Sequence, residues 1–521
     1  MKKAIFTLAF VGLTSTMNAQ DTYLNDRITN SSNDLYGTSR YVGMGGALGA
    51  LGADISTIGW NPAGIGMMRK NDINMTFGAL WDKKGIKESS KTHGTFDQAG
   101  FVYSCKLGDN SKMKYINFGF NYQKKLNYNN AFYADNPNLK GLSQMDQFAE
   151  LVNAGYDTAY NMAGFVVDEN YLTKDGDTYY NKYGGESNYY TQKTWGGLHG
   201  FDINISGNVN DRAYWGVTVG IDNLRYRSST DLYEKNSCIE GGVTKYGDYS
   251  LFNDQVINGC GMNFKFGTIV RPFEESPFRL GFVIETPTWY NLKSSTLYSL
   301  HDQVDNVRTK EYESYLEYAI RTPWKVRLSA ATTIGSKVAM DVDYEFANVN
   351  GTSMGYPNDD IDSPSNSLFN TTKDISMNQQ TKDNLKGMHT VRAGIEYRAT
   401  NAFSLRLGYN YSTCAYKDNI TFDQYSLDSY AMNVSTSTSY MKMGATNTLT
   451  LGMGYKWKHI YVDLAYKLRN QSADFYAFDS SFTQAGSDFA VANPLLSDVT
   501  LDPVNVDLTR HQLTATVGIK F

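Results

Sequence analysis

The chain has 521 residues and a formal net charge of −5, with 39 Tyr, 26 Phe, 7 Trp and 46 Gly against only 10 Pro. No basic stripe or nucleic-acid motif is present, which argues against a nucleic-acid partner. A mean hydropathy of −0.43, with no run of about 18 uncharged apolar residues beyond the N-terminus, excludes a helical membrane protein.

The first residues read as a secretory signal peptide. Lys2 and Lys3 precede the apolar run 4–13, and a small-residue site ends at Ala19, where cleavage is expected. Removal of the two lysines takes the net charge to about −7, and the mature chain leaves the cytoplasm. In an oxidising compartment Cys238 and Cys260 could pair, or could remain, like Cys105 and Cys414, as scattered thiols. No CxxC or zinc spacing occurs among the cysteines, the six histidines are dispersed without a local haem motif, and no metal or cofactor is expected.

Residues 20–70 contain the most unusual stretch. Gly43, Gly45, Gly46, Gly49 and Gly52 are interleaved with small apolar residues, and Asn61-Pro62-Ala63-Gly64 supplies a turn and stop signal. A phosphate loop is not supported, because no preceding strand or Lys-Ser/Thr pair accompanies the glycines. The segment is expected to be a compact hatch able to approach a surrounding wall closely.

From residue 71 onward, apolar and polar residues alternate in about fourteen segments: 71–81, 95–107, 113–125, 198–208, 212–226, 257–270, 277–290, 313–334, 337–346, 387–398, 403–413, 446–457, 459–470 and 509–521. Residues 313–334 are one strand with an irregularity at Pro323, because no Gly, Asn or Asp supplies a two-residue hairpin there. Short turns alternate with long polar loops at 82–94, 126–197, 227–256, 291–312, 347–386, 414–445 and 471–508, as in barrels with short periplasmic turns and longer extracellular loops. In 337–346, Val338, Met340, Val342, Tyr344 and Phe346 share one parity, and Asp341, Asp343 and Glu345 the other. The fold class predicted is all-β, a transmembrane antiparallel β-barrel of about fourteen strands with an N-terminal hatch in its lumen. A tyrosine-rich soluble sandwich array is the competing reading.

Within the second long loop, Leu142, Met145, Phe148, Leu151 and Val152 recur at helical spacing. They form either a helix covering the barrel mouth or an apolar landing site for a greasy ligand. Interior charges including Arg327, Asp341, Asp343, Glu345, Arg392, Glu396, Arg406, Asp463 and Lys467 read first as ion pairs holding the hatch, and second as contacts for a carboxylate headgroup. No nucleophile, base and orienting partner are arranged together, so no catalytic residue and no enzyme activity are expected. The final strand places Leu513, Ala515, Val517, Ile519 and the terminal Phe521 on one face, like the C-terminal insertion signal of outer-membrane barrels.

The Gly-rich run from Ser39, the Asn61-Pro62-Ala63 motif, the Thr322-Pro323-Trp324 element and Phe521 together resemble the FadL/TodX family of outer-membrane transport proteins. That resemblance implies a monomer in the Gram-negative outer membrane: a signal peptide at 1–19, a hatch at 20–70 and a barrel at 71–521. It implies passive uptake of hydrophobic molecules, long-chain fatty acids or similar, which bind near the extracellular loops and leave sideways through the wall. The expected partners are outer-membrane lipid, the hydrophobic ligand and, during insertion, the barrel-assembly machinery. The family's wall gap lies at a kink of the third strand, where Gly119 could permit one. The alternative is a secretion-associated barrel whose long loops bind exported proteins.

Overall fold

The computed structural model describes residues 34–82, 92–108, 111–156, 161–357, 370–418 and 429–521. The signal peptide with its Ala19 site, the start of the hatch segment, and parts of the loops at 82–94, 126–197, 347–386 and 414–445 lie outside the described residues.

Fourteen antiparallel strands form a closed wall. They are β1 (Asp72–Asp82), β2 (His93–Lys106), β3 (Met113–Asn127), β4 (Gly184–Val209), β5 (Ala213–Glu240), β6 (Tyr249–Val270), β7 (Arg279–Glu285 continuing as Trp289–Asp302), β8 (Tyr312–Arg321 continuing as Lys325–Ile334), β9 (Val338–Ala347), β10 (Met388–Arg398), β11 (Phe403–Ser412), β12 (Tyr440–Trp457), β13 (Ile460–Tyr476) and β14 (Arg510–Lys520). Closure is made by β1 against β14, from Asp72 opposite Lys520 to Asp82 opposite Arg510. Closure leaves no open sheet edge on the wall, the condition for a sheet to cross hydrocarbon. No helix among the described residues is long and apolar enough to span a membrane.

The single-strand reading of 313–334 holds, because β8 keeps β7 as its neighbour on both sides of Pro323, while its other edge pairs with β9 below and with Ser353–Pro357 above. Several loop boundaries do not hold. β4 begins at Gly184, β5 runs on to Glu240, and β7 to Asp302, so much of the expected loops 126–197, 227–256 and 291–312 is strand.

The cause is an inversion of polarity along continuous strands. In the lower part of β5, Val217, Val219 and Ile221 face outward while Thr218 and Asp222 are buried inside. Beyond them Asn223, Arg225 and Arg227 face outward while Leu224, Tyr226 and Leu232 are buried inside. The wall thus leaves the bilayer and continues as a water-exposed tube filled with apolar side chains. Pattern reading that expects apolar residues outside stops at this level.

Aromatic residues mark both borders of the apolar band. Tyr103, Tyr455, Trp457 and Phe521 are exposed at the lower rim. At the upper rim three cross-strand pairs recur, with Tyr122, Tyr344 and Tyr466 hydroxyls 2.8, 2.7 and 2.7 Å from Nδ1 of His199, His389 and His511. Phe521 exchanges backbone hydrogen bonds with Asn71, at 3.0 and 3.1 Å, tying the C-terminus to the start of β1.

All four cysteines are free. Cys260 stands opposite Asn223 on β5, fifteen residues from Cys238 on the same strand. At about 3.4 Å per residue their separation is about 50 Å, far beyond disulfide reach.

Leu407 is 48% exposed in the middle of the apolar band, whereas Ile239 is 80% exposed on the extracellular hairpin. Leu407→Arg is expected to cost about 2–4 kcal/mol in urea unfolding from lipid vesicles, and Ile239→Arg to leave stability unchanged.

Candidate functional site

Residues 34–71 lie within the lower lumen. They comprise α1 (Ser39–Gly43) and two 3-10 turns, Ile55–Gly59 and Pro62–Met67. Asn61 caps the second turn, its Oδ1 accepting from the Ala63 amide at 3.1 Å while its Nδ2 donates to the Gly49 carbonyl at 2.6 Å. Pro62 follows at the first helical position, where its missing N–H costs nothing. This motif docks on a rung of the wall formed by Gly216 of β5 directly opposite Gly267 of β6. A Cβ on Gly216 would lie 2.4 Å from the Pro62 carbonyl carbon, and one on Gly267 would lie 2.2 Å from Asn61 Oδ1.

The hatch glycines meet the opposite wall in the same manner. Gly45 has φ +66° and lies against β11, where a Cβ on Gly408 would stand 2.1 Å from the Gly45 nitrogen. A Cβ on Gly49 would strike Asp343 Oδ1 at 2.4 Å. Gly43 packs on Gly452 of β12, Gly46 on Arg392 of β10, and Gly52 on Gly64 within the hatch itself.

Charges from the wall hold the hatch. Asp341 Oδ2 accepts from the Ala50 and Leu51 amides at 3.0 and 2.8 Å, and Asp343 Oδ2 from Gly49 N at 3.2 Å and Trp60 Nε1 at 2.7 Å. The Trp60 ring is sandwiched by two guanidinium groups, Arg392 at 3.5 Å and Arg327 at 4.2 Å from its centroid. Arg327 also joins Glu285 and Glu345, at 2.6 and 2.5 Å. Arg40 of the hatch pairs with Glu396, which Arg406 shares while also holding Asp463, and Lys467 donates to the Leu35 carbonyl at 2.7 Å. The nine interior charges singled out from sequence therefore all belong to the hatch-holding network.

Above the hatch lies a cavity of about 60 Å3 lined by Lys125, Asp202, Lys265, Glu285, Lys325 and Arg327 together with Tyr36, Trp60 and others. Lys125 pairs with Asp222 at 2.6 Å and Lys265 with Asp202 at 3.3 Å. Pattern reading missed these cations because they sit at the level where strand polarity inverts. Among the described residues no group of His, Cys, Asp and Glu is arranged to hold a metal.

The wall is interrupted just above this level. The β7–β8 ladder ends below at Glu285 opposite Lys325 and resumes above at Trp289 opposite Arg321. Three residues on each strand intervene, so Pro287 faces Pro323 on a rung with no backbone N–H at all. Beside it, Thr322 N donates to the Thr288 carbonyl at 3.1 Å, and Thr288 N is satisfied by the Thr322 hydroxyl at 2.8 Å rather than by a carbonyl. Trp324 projects outward, 53% exposed. The third strand has no comparable gap. Gly119 is paired with Val102 on one side and Asn204 on the other, and its missing side chain makes room for Ile58 of the hatch, whose Cδ1 lies 2.7 Å from a Cβ built there.

The extracellular tube encloses a large apolar cluster that reaches down to the interruption. Tyr290, Leu292, Tyr318 and Ile320 flank the two prolines from above, and Met145, Met162, Met354, Met377, Met432, Met441 and Met443 are distributed through it. Leu142, Met145, Phe148, Leu151 and Val152 all turn into this cluster from α2 (Gln144–Asn153) and its approach. A void of about 10 Å3 lies beside Phe148, Leu151, Met162 and Met432, between α2 and α3 (Met162–Asp168).

A buried polar knot fixes α2. Ser143 caps the helix, its amide donating to Asp146 Oδ2 at 2.8 Å. Glu234 of β5 accepts from the Ser143 hydroxyl at 2.5 Å, the Tyr249 hydroxyl at 3.1 Å and the Gln144 amide. Burial pushes both the Glu234 and the Asp146 carboxyl up to about 7, against the pull of these donors.

A plugged, fourteen-stranded outer-membrane-type β-barrel is the class these features define. The architecture is that of the FadL/TodX type. A Pseudomonas aeruginosa FadL homologue superposes with a TM-score of 0.50 at 12% identity, covering 93% of this chain and 98% of that one. The Pseudomonas putida toluene transporter TodX gives 0.48 at 12% identity over 94% and 99%, and the CymD monoaromatic hydrocarbon channel 0.49 at 9% over 93% and 97%. No family model matches the sequence, and no curated protein matches it significantly.

Gly267→Val is expected to dislodge the Asn61 motif while leaving the barrel closed, read as raised ion conductance in planar bilayers with unchanged heat-modifiable gel migration. A carboxyl whose folded value exceeds its unfolded one is destabilising when ionised, so α2 should be most stable below about pH 4 and lose protection as pH rises to about 7. Hydrogen exchange of residues 144–153 should show that slope, and Glu234→Gln should flatten it substantially.

Proposed function

We propose that the barrel is a passive outer-membrane channel for hydrophobic small molecules, long-chain fatty acids or compounds of similar character, which enter the extracellular apolar cluster and leave sideways at the paired prolines. The observation that carries this reading is the position of the interruption. It lies where the apolar filling of the tube meets the bilayer, above the charged layer that seals the hatch.

An apolar solute in the cluster would have the charged cavity below it and hydrocarbon beside it. Burial of a methylene is worth about 0.8 kcal/mol, so a long chain favours the lateral path without any energy input, whereas descent would strip it into a layer of ion pairs. The methionine-rich filling suits a transient guest, because unbranched thioether side chains repack around irregular shapes. In this scheme Phe148 and Leu151, beside the small void, belong to the apolar lining that receives the solute.

A reversible staple across the interruption tests the route. In a chain with its four native cysteines replaced by serine, Thr286→Cys and Trp324→Cys place thiols on the rung next to the prolines. Oxidation should reduce uptake of labelled fatty acid several-fold and reductant should restore it. Undiminished uptake with the staple closed would remove the lateral route, and normal uptake in a strain lacking the protein, coupled with a secretion defect, would favour the loop-binding alternative.

A further inference from the structure

We infer that the outer face of β4 and β5, just above the bilayer, is a binding site for a phosphorylated glycolipid of the outer leaflet. This goes beyond the channel reading and rests only on the placement of the barrel in its membrane.

The face is stratified in an order that matches such a lipid. Phe201 and Ile221, 37% and 44% exposed, end the apolar band. His199 and Asn223, opposite each other in the ladder, form the next outward row, and His199 is held by the Tyr122 hydroxyl at 2.8 Å. Arg225 and Arg227 follow on the same face of β5, both exposed, with Trp195 standing opposite Arg227 and 46% exposed. Neither arginine makes an ion pair with another described residue. Acidic side chains, Asp254 and Asp231, begin only further from the bilayer.

The heights agree. Arg225 lies four residues beyond Ile221, about 14 Å along a strand rising 3.4 Å per residue, or about 10 Å of height at the usual barrel tilt. The headgroup layer is about 5–7 Å thick, and an arginine can lower its guanidinium into it along its own apolar stem. A guanidinium is the side chain best suited to a phosphate, since its planar fork bonds two oxygens at once. The exposed Trp195 ring offers a flat apolar surface to a sugar, while Phe201 and Ile221 meet the acyl chains. On the opposite wall the outward residues at this level, Asn447 and Asn470, are neutral, so the cations are a local feature and not a uniform collar.

The test uses the purified, delipidated full-length mature barrel in neutral detergent, titrated with diphosphoryl lipid A and followed by native mass spectrometry. Wild type should retain the lipid, whereas the double substitution Arg225→Gln/Arg227→Gln should bind at least about tenfold more weakly, because it removes two charge-assisted hydrogen bonds to phosphate. Enzymatically dephosphorylated lipid should bind wild type as weakly as the variant does. Arg308→Gln, at an exposed extracellular tip, should bind like wild type, and heat-modifiable migration should be unchanged in all three proteins. Equal binding by the double variant would overturn the site. Displacement of the lipid by equimolar inorganic phosphate would overturn the lipid as its occupant. Solute uptake by the variant should remain normal, which separates this site from the channel reading.

Discussion

The structure depends on a change of solvent along uninterrupted strands. Strand alternation gives each wall segment one face inward and one outward, and nothing in the backbone changes as β5 passes from bilayer to water. What changes is which face must be apolar. Ile221 and Asp222 obey the membrane arrangement, and Asn223 and Leu224, the next two residues, obey the arrangement of a soluble protein. One barrel therefore carries two interiors, a polar one below that binds a hatch and an apolar one above that packs as an ordinary core.

Where the two interiors meet, polar side chains are concentrated and the wall is weakest. At the base of the apolar cluster Lys125 pairs with Asp222, Lys265 with Asp202 and Glu285 with Arg327. Buried ion pairs of this kind stabilise little relative to apolar packing, but breaking one partner costs about 3–5 kcal/mol because the other is left bare. The network therefore acts chiefly as a specification: it lets the hatch sit in one position. The glycine rung of β5 and β6 adds shape to charge, since Pro62 and Asn61 can approach the wall only where two opposed residues lack side chains.

This division explains what the sequence disclosed. The membrane halves of the strands were legible because outward apolar and inward polar residues repeat at a period of two, as in 337–346 and 446–457. Retaining Pro323 within one strand was sound because no turn-forming residue accompanied it. The extracellular halves were not legible, since Asn291, Lys293 and Ser295 on the outward parity of β7 look like a polar loop unless the inward Tyr290 and Leu292 are known to be sharing a core. The partner of Pro323 was missed for the same reason. Pro287 falls at the end of the pattern, and its alignment opposite Pro323 is a property of register, which no single strand records. The interior charges were identifiable by parity alone, but the atoms they hold, such as the amides of Ala50 and Leu51 on Asp341, belong to a segment distant in sequence.

The order of layers also bears on how a solute could cross. A pore running straight down the lumen would have to pass the ion-paired layer and then displace a hatch whose backbone amides are held by Asp341 and Asp343. Both steps expose buried charge to an apolar guest, and neither is offset by any contact the guest could make. The rung of opposed prolines lies one layer higher, where the inner lining is still Tyr290 and Ile320 and the outer surface is already Trp324. Widening the wall there disturbs a rung with no N–H donors and a neighbouring pair in which a threonine hydroxyl already replaces a carbonyl. In the proposed scheme the hatch can therefore remain seated throughout transport, its part being to keep water and ions from following the solute rather than to open for it.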